Sequence, residues 1–136
     1  MNKDCIFCKI VAGEIPCDKI YEDDKILAFL DIKPSNNGHT LLISKEHYKN
    51  TTETPTELLE YMIIMLKKIA PAIIKGAGAE GWNLIVNNGA VAGQIIFHTH
   101  WHIIPRFEND GHKFWGAKTY GEGEEKKITE EIKNNL

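Results

Sequence analysis

The residue pattern with the clearest chemical potential is a row of three histidines at alternate positions, His98, His100 and His102. Side chains alternate between the faces of a strand, so this spacing predicts three imidazoles on one face, about 7 Å apart between neighbours. His98 and His102 would then lie roughly 13 Å apart, too far to bind one zinc ion at Zn–N distances of about 2 Å. The row instead suits a nucleophilic imidazole whose neighbours orient it and balance charge. The alternative is an exposed strand face that carries histidines without function.

Strand-like segments and one long helix are predicted to position this row. The strand-like segments, identified by β-branched and aromatic residues, are 19–21, 26–30, 39–44, 82–86 and 97–104. Thr54-Pro55-Thr56-Glu57 resembles a capping box, and apolar residues at helical spacing follow it, which predicts the main helix over about 55–75. Pro71 is expected to kink or end that helix. A short helix or turn is expected within residues 1–14, and the whole pattern indicates an α+β fold with an antiparallel sheet.

Length and charge limit the class of protein. The chain has 136 residues, which predicts one domain, and a formal net charge of −3, which argues against nucleic-acid binding. No segment approaches the length of apolar sequence that a membrane span needs, so a soluble, cytoplasmic protein is expected. The charged tail from Gly121 carries Ile128, Ile132 and Leu136 at helical spacing, and it either docks as a short helix or stays mobile.

The pair Cys5 and Cys8 has the spacing of a metal-binding or redox motif. A redox pair is disfavoured because only four residues precede Cys5, so no strand leads into the motif. A closed zinc site needs four ligands, and two histidines from elsewhere would complete it. The candidates are His47, His98, His39 and His112. Two packed thiols remain the alternative.

Two further segments have the chemistry of a nucleotide site. The loop 87–94 precedes the histidine row, and its glycines allow close approach of backbone N–H groups to phosphate oxygens. The amides of Asn87 and Gln94 would add donors. Asp31 follows an apolar run, and its carboxylate could accept hydrogen bonds from a ribose diol; turn carboxylates of no function are the alternative.

The stretch from Gly93 to Arg106 resembles the signature of the histidine-triad (HIT) family, in which histidines alternate with apolar residues. Other blocks resemble Hint-type members in the family's order: Cys5-Ile6-Phe7-Cys8-Lys9-Ile10, Gly13-Glu14-Ile15-Pro16, Tyr21-Glu22-Asp23-Asp24, Phe29-Leu30-Asp31-Ile32, Gly38-His39-Thr40-Leu41 and Lys45-Glu46-His47-Tyr48. The resemblance covers residues 5–106 of a single domain spanning 1–136. It implies the HIT fold, an antiparallel sheet of about five strands with one long helix and a short N-terminal helix, and leaves the order of 107–136 open.

The resemblance also implies an activity. Family members are nucleotide hydrolases and nucleotidyl transferases that cleave a bond at the α-phosphate through a covalent nucleotidyl-histidine, which assigns the nucleophile here to His100. By matching position His102 would contact the phosphate, His98 and His39 would support the orientation of the nucleophile, and Gln94 would stabilise charged oxygens. The implied substrates are purine nucleoside phosphoramidates or related conjugates, hydrolysed to the monophosphate without a catalytic cofactor.

The binding residues follow from the same resemblance. The matching nucleotide-binding set is Ile6, Phe7, Phe29, Asp31, Ile32, Asn87, Gly93, Gln94, His100 and His102. The matching set for a structural Zn²⁺ is Cys5, Cys8, His47 and His98. A homodimer is also implied.

One departure from the Hint pattern concerns the leaving group. Ile95 stands where many Hint-type proteins carry serine or threonine, so a hydroxyl that would assist the leaving group is missing. Its loss could cost on the order of a hundredfold in rate if nothing replaces it. Two alternatives therefore stay open, a dinucleoside polyphosphate hydrolase and a nucleotide-binding module with weak activity.

Overall fold

A five-stranded antiparallel sheet with a helix on each face forms the body of the protein. The computed structural model describes residues 2–136. The strands are β1 Lys19–Glu22, β2 Ile26–Leu30, β3 Thr40–Ser44, β4 Gly81–Ile85 and β5 His100–Arg106, in the spatial order β1-β2-β3-β5-β4. The helices are α1 Ile6–Val11, α2 Thr56–Ala77 and α3 Glu124–Asn134, with short 3₁₀ turns at Thr51–Glu53 and Ala90–Ala92. The predicted α+β fold with five antiparallel strands, one long helix and a short N-terminal helix is confirmed.

Alternate residues of the strands build two separate cores. The first core packs α2 against one face of the sheet and includes Trp101 and Ile103 of β5. The second core packs α1 against the opposite face and includes Phe7, Phe29 and Leu41. Because side chains alternate along a strand, His100 and His102 lie on the α1 face.

The start of the last strand differs from the prediction. β5 begins at His100 rather than at residue 97 and runs through Pro105 to Arg106. Thr99, just before it, donates its backbone N–H to the Tyr48 carbonyl at 2.8 Å, outside the ladder of the sheet. His98 therefore precedes the regular strand, yet its ring still lies on the α1 face, against Phe7 and the thiols of Cys5 and Cys8.

The structure differs from two predictions about α2. Pro71 does not end the helix, which continues to Ala77 and stops at Gly78, where φ is +69°; a kink at Pro71 stays a prediction. Thr54 does not cap the helix, because its buried hydroxyl lies 2.6 Å from that of Thr99. That bond ties the start of α2 to the segment that leads into β5.

The C-terminal segment contacts the body through His112 and Phe114 and then forms an exposed helix. Every residue from Gly111 to Leu136 is exposed, including all of α3. Among residues 2–136, none of the helices is both long and apolar enough to span a bilayer.

Candidate functional site

A cavity of about 450 Å³ lies on the α1 face of the sheet, between α1, the segment after β2 and the loop that follows β4. Of the ten residues predicted to bind a nucleotide, nine line it: Ile6, Phe7, Phe29, Asp31, Ile32, Asn87, Gly93, His100 and His102. The apolar members come from α1, β2 and the segment just after β2, while the polar members lie on β5 and the two loops. A volume of this size suits a small ligand with an apolar part and a charged part.

His100 is held in one tautomer by the backbone. Its Nδ1 lies 2.6 Å from the carbonyl oxygen of His98, which can only accept, so Nδ1 carries the proton. The unprotonated Nε2 is then the nitrogen with a free electron pair. Burial lowers the pKa of His100, which keeps the ring neutral, and the Phe7 ring packs edge-on at 5.1 Å between centroids. A neutral, oriented imidazole in a cavity has the properties of a nucleophile.

A chain of hydrogen bonds assigns the protons of the other two rings. The backbone N–H of Ser35 donates to Nδ1 of His39 at 3.0 Å, so that nitrogen is an acceptor and Nε2 of His39 carries the proton. Nε2 of His39 lies 2.9 Å from Nδ1 of His102 and donates to it. The remaining proton of His102 is thus on Nε2, where it can donate to a ligand. Burial, followed by the neighbouring His100 and His39, lowers the pKa of His102 to about 4, so the ring is neutral.

His39 therefore contacts His102 and not His100. Asp31 lies beside it, with Oδ2 at 3.8 Å from Nε2 of His39. The other carboxylate oxygen of Asp31 accepts the backbone N–H of Lys33 at 2.8 Å, which fixes the side chain at the cavity wall.

The structure does not bring Gln94 into the cavity lining. Its buried amide oxygen accepts the Gly89 N–H at 2.9 Å, and its nitrogen donates to the carbonyls of Lys49 and Ile96 at 2.7 and 3.2 Å. Gln94 thus braces the loop from within. Gly93 next to it adopts φ +89°, a conformation that favours glycine, and presents its backbone to the cavity.

The ring of His98 belongs to a second cluster, with Cys5, Cys8 and His47, on the same face of the sheet. Its Nδ1 lies 3.5 Å from Sγ of Cys5 and 3.6 Å from Sγ of Cys8, and Nδ1 of His47 lies 3.4 Å from Sγ of Cys8. A tetrahedral zinc site with Zn–S of 2.3 Å and Zn–N of about 2.05 Å has S···N separations of about 3.6 Å. The four ligand atoms, all within 4.8 Å of one another, therefore fit zinc.

The rest of the His98 ring has the support that a metal ligand needs. Its Nε2 donates to the carbonyl of Ser44 at 2.7 Å, which places the proton on Nε2 and leaves Nδ1 free to face the thiols. Burial lowers the pKa of His98 to about 4, although the hydrogen bond to the Ser44 carbonyl raises it, so the ring is neutral. His112, the other candidate ligand named from the sequence, lies outside this cluster and contacts the Ser35 carbonyl.

Two site residues were not predicted from the sequence. Lys33 lines the cavity and supplies a positive charge near the polar wall. Ser35 acts through its backbone N–H, which any residue but proline has, so no side-chain pattern could have identified it. The position of Lys33 in a turn two residues after Asp31 was the one available signal.

Comparison with known proteins gives a consistent result. The model of the HIT domain family matches residues 12–109. An adenylylsulfatase (HINT3) from Arabidopsis thaliana is 52% identical over 110 residues, which are 81% of this chain but 56% of the plant protein. The chain thus spans little more than half of that relative. An adenosine 5'-monophosphoramidase (hnt1) from Schizosaccharomyces pombe is 46% identical, covering 75% of this chain and 74% of the yeast protein.

Solved structures agree in both sequence and shape. A Streptococcus mutans UA159 protein has a TM-score of 0.93 and 40% identity, covering 99% of this chain and 87% of its own. A zinc-bound histidine triad family protein from Mycobacterium smegmatis has a TM-score of 0.76 and 40% identity, covering 85% and 84% of the two chains.

Proposed function

This chain belongs to the HIT domain family and is a hydrolase of that family, and we propose that it cleaves the α-phosphate bond of purine nucleoside phosphoramidates or related nucleotidyl conjugates. The names of two relatives, an adenylylsulfatase and an adenosine 5'-monophosphoramidase, both denote an adenylyl group joined to a small leaving group. Bonds of this kind share the α-phosphorus as the point of attack. The product would be the nucleoside monophosphate.

The observation that carries this proposal is the fixed tautomer of His100. Because the His98 carbonyl accepts the Nδ1 proton, the electron pair on Nε2 is available within the cavity. In the first step Nε2 attacks phosphorus, and the bond to the leaving group breaks with its electron pair, which then takes up a proton. In the second step water attacks phosphorus and loses a proton, the P–N bond breaks, and its electron pair returns to Nε2.

Neighbouring groups would stabilise charge in both steps. The His100 ring becomes positive while the adduct exists, and the His98 carbonyl then accepts a stronger, charge-assisted hydrogen bond. The Nε2 proton of His102 would donate to a phosphate oxygen. His39 acts as a positioning residue, since it fixes the proton of His102. Gln94 would act by holding the loop rather than by touching phosphate.

The remaining cavity residues would bind the nucleoside. Phe7 and Phe29, whose ring centroids lie 5.9 Å apart, form part of an apolar pocket wide enough for a base. Asp31 would accept from the ribose hydroxyls, for which its carboxylate at the cavity wall is suited.

We propose further that Cys5, Cys8, His47 and His98 bind a structural zinc ion. The distances within the cluster and the zinc-bound relative support this role. Zinc bound there would join α1 to the segment before β5 and would hold the His98 carbonyl in place; no reaction step needs it.

We infer that the chain forms a homodimer through β4. Within residues 2–136 this strand pairs only with β5, so its other edge is open. Trp82 and Leu84 are partly exposed there, and an open edge with apolar side chains is a ready surface for pairing. Light scattering of the wild type and Leu84→Glu tests this, since a charge at the edge should raise the dimer dissociation constant.

The hydrolase proposal is tested by the intact mass of the protein after a rapid acid-free quench with adenosine phosphoramidate, while AMP release is followed in parallel. An adenylylated protein with AMP turnover, both lost in His100→Ala, is expected. AMP binding without adduct or turnover would contradict the proposal and favour a binding module. Faster turnover of diadenosine polyphosphates than of the phosphoramidate would favour the dinucleoside polyphosphate hydrolase.

A further inference from the structure

The peptide unit between His98 and Thr99 is held at both of its ends. Its carbonyl oxygen, on His98, lies 2.6 Å from Nδ1 of His100, and its N–H, on Thr99, donates to the carbonyl of Tyr48 at 2.8 Å. A peptide unit is planar, and in its trans form the C=O and N–H point in opposite directions. The direction of the carbonyl that fixes the proton of His100 therefore depends on the bond at the other end.

The side chain of Thr99 adds a second attachment to this peptide. One backbone bond does not fix the plane, because the peptide can still rotate about the N–H···O line. The Thr99 hydroxyl oxygen lies 2.6 Å from that of Thr54 and 3.3 Å from the Tyr48 carbonyl. Thr99 is 1% exposed and Thr54 is 5% exposed, so water does not compete for the bond between their hydroxyls. The side chain therefore opposes the rotation that the backbone bond allows.

The direction of the bond between the two hydroxyls follows from a third group. The Thr54 hydroxyl lies 2.9 Å from the carbonyl oxygen of Asn50, which can only accept, so Thr54 donates its single proton there. The Thr54 oxygen is then the acceptor for the proton of Thr99. Each hydroxyl thus has a donor role that its partner can accept, and the chain runs from Thr99 through Thr54 to the backbone of Asn50.

The segment that receives this chain, residues 48–54, also supports the loop 87–94 beside the cavity. The side-chain nitrogen of Gln94 donates to the Lys49 carbonyl at 2.7 Å, and the side-chain oxygen of Asn88 accepts a backbone N–H of the segment at 3.0 Å. Residues 48–54 are therefore a common support for that loop and for the peptide that precedes the proposed nucleophile.

We propose that Thr54 and Thr99 are positioning residues of the reaction. The bond between their hydroxyls keeps the His98 carbonyl in line with Nδ1 of His100 and so keeps the electron pair on Nε2. The inference rests on the proposed hydrolase. Neither threonine lines the cavity, so neither contacts the substrate. Without the bond the peptide rotates, the hydrogen bond from Nδ1 weakens, and a larger fraction of the rings carries the proton on Nε2, where it removes the pair that attacks phosphorus.

The tautomer of His100 is the direct test, and it needs no turnover. Protein with ¹⁵N-labelled histidines is studied as purified, and two-dimensional ¹H–¹⁵N spectra at one neutral pH show which ring nitrogen carries the proton. Thr99→Val keeps the shape of the side chain and removes the hydroxyl. We expect the fraction of His100 protonated at Nε2 to rise about fivefold or more in this variant. An unchanged tautomer would overturn the proposal.

Rates of adenylylation separate positioning from packing. Thr99→Val and Thr54→Val should each lower the rate about tenfold with KM little changed. The double variant should lose no more than either single variant, because both changes remove the same bond. Thr99→Ser keeps the hydroxyl and should stay within about twofold of the wild type. Equal losses in Thr99→Ser and Thr99→Val, or additive losses in the double variant, would indicate packing and overturn the proposal. Zinc content should not change, and a loss of zinc together with the loss of rate would assign the effect to the cysteine cluster and overturn it too.

Thr40→Val is the matched control. Thr40 is also fully buried, but its hydroxyl donates to the Gly38 carbonyl at 2.8 Å and not to the segment 48–54. This variant should lower Tm as Thr99→Val does and leave the tautomer of His100 unchanged. A shifted tautomer in the control would show that the loss of any buried hydroxyl has this effect and would overturn the proposal. A wild type that releases no AMP would contradict the hydrolase, whereas the tautomer measurement tests the positioning by itself.

Discussion

The backbone carbonyl of His98 lies 2.6 Å from Nδ1 of His100, while the His98 ring lies against the thiols of Cys5 and Cys8. One residue thus joins the cysteine cluster to the proposed nucleophile. The ring depends on the cluster for its position, and the backbone fixes the tautomer of His100. Changes in the cluster should therefore reach the active site without any contact to the substrate.

Cys8→Ser should remove the zinc ion and weaken both fold and activity. We expect zinc content, measured by mass spectrometry of the metal, to fall from about one per chain to near zero, with Tm lower by about 10 °C or more. kcat should fall about tenfold as the His98 carbonyl loosens. Cys17→Ser is the matched control, because Cys17 is not part of the cluster, and its zinc content should equal that of the wild type. Unchanged Tm in the Cys8 variant would contradict a structural ion.

Replacement of His39 should test whether it positions His102. His39→Phe removes the donor to Nδ1 of His102, and kcat should fall by about 10- to 100-fold. His39→Gln keeps an N–H group near the place of Nε2 and should recover part of the loss. Pre-steady-state AMP release measures both variants. Equal losses in the two would indicate a packing role and not a donor role.

Stability should fall in mild acid because of His102. Burial and, to a lesser extent, the neighbouring His100 and His39 lower the pKa of His102 to about 4, although Asp31 raises it. An imidazole in the unfolded chain titrates near 6.5. Between pH 6.5 and 4 the unfolded chain binds more protons than the folded chain, so the free energy of unfolding decreases as the pH falls. Urea unfolding at several pH values should show that the free energy of unfolding decreases less in His102→Asn than in the wild type. The difference should be on the order of 1 kcal/mol, because the ring is partly exposed. The wild type and the variant both keep the cysteine cluster, so its titration cancels when the two are compared. Parallel curves of the free energy of unfolding against pH would contradict the prediction.

Ile95→Ser should raise the rate with poor leaving groups. Ile95 lines the cavity and is 88% exposed, so a hydroxyl there would reach a leaving group without disturbing the core. We expect kcat for adenosine phosphoramidate to rise about tenfold or more. Ile95→Ala shortens the side chain equally without adding a hydroxyl and serves as the control. A similar rise in both variants would assign the effect to space rather than to hydrogen bonding.

Gly38→Ala should be costly because the chain passes closely over α2 there. Gly38 has φ +85°, and a Cβ would lie 2.9 Å from Cβ of Ala77 and 3.2 Å from Cγ of Pro105. We expect a loss of about 2–4 kcal/mol in the free energy of unfolding. Gly76→Ala, where a Cβ would meet open space within α2, should instead add about 0.5–1 kcal/mol. In urea unfolding, the free energies of unfolding of the two variants should shift in opposite directions from the wild type. Equal shifts would contradict the close approach of Gly38 to Ala77 and Pro105.

Local sequence patterns determined the main elements of this protein. Apolar residues at helical spacing set α2, and β-branched runs set the strands, because these patterns reflect which side of an element is buried. The histidine row indicated a nucleophilic imidazole from residue types and spacing. The Cys5–Cys8 spacing left a zinc site, a redox pair and packed thiols open, and the HIT resemblance supplied His47 and His98 as the further ligands. The capping prediction for Thr54 failed because its hydroxyl bonds to Thr99, 45 residues away, and no local rule includes such a partner.

Only the tertiary structure decided which histidine does what. The ring of His98 lies against the cysteines, while its backbone carbonyl lies against Nδ1 of His100. The proton of His102 depends on His39, 63 positions away, and through it on the backbone of Ser35. A sequence contains these groups but does not fix the distances between them. The direction of a hydrogen bond depends on those distances and on whether one partner can only donate or only accept. Residue types thus supplied the chemistry that was available, and the fold assigned each proton to an atom.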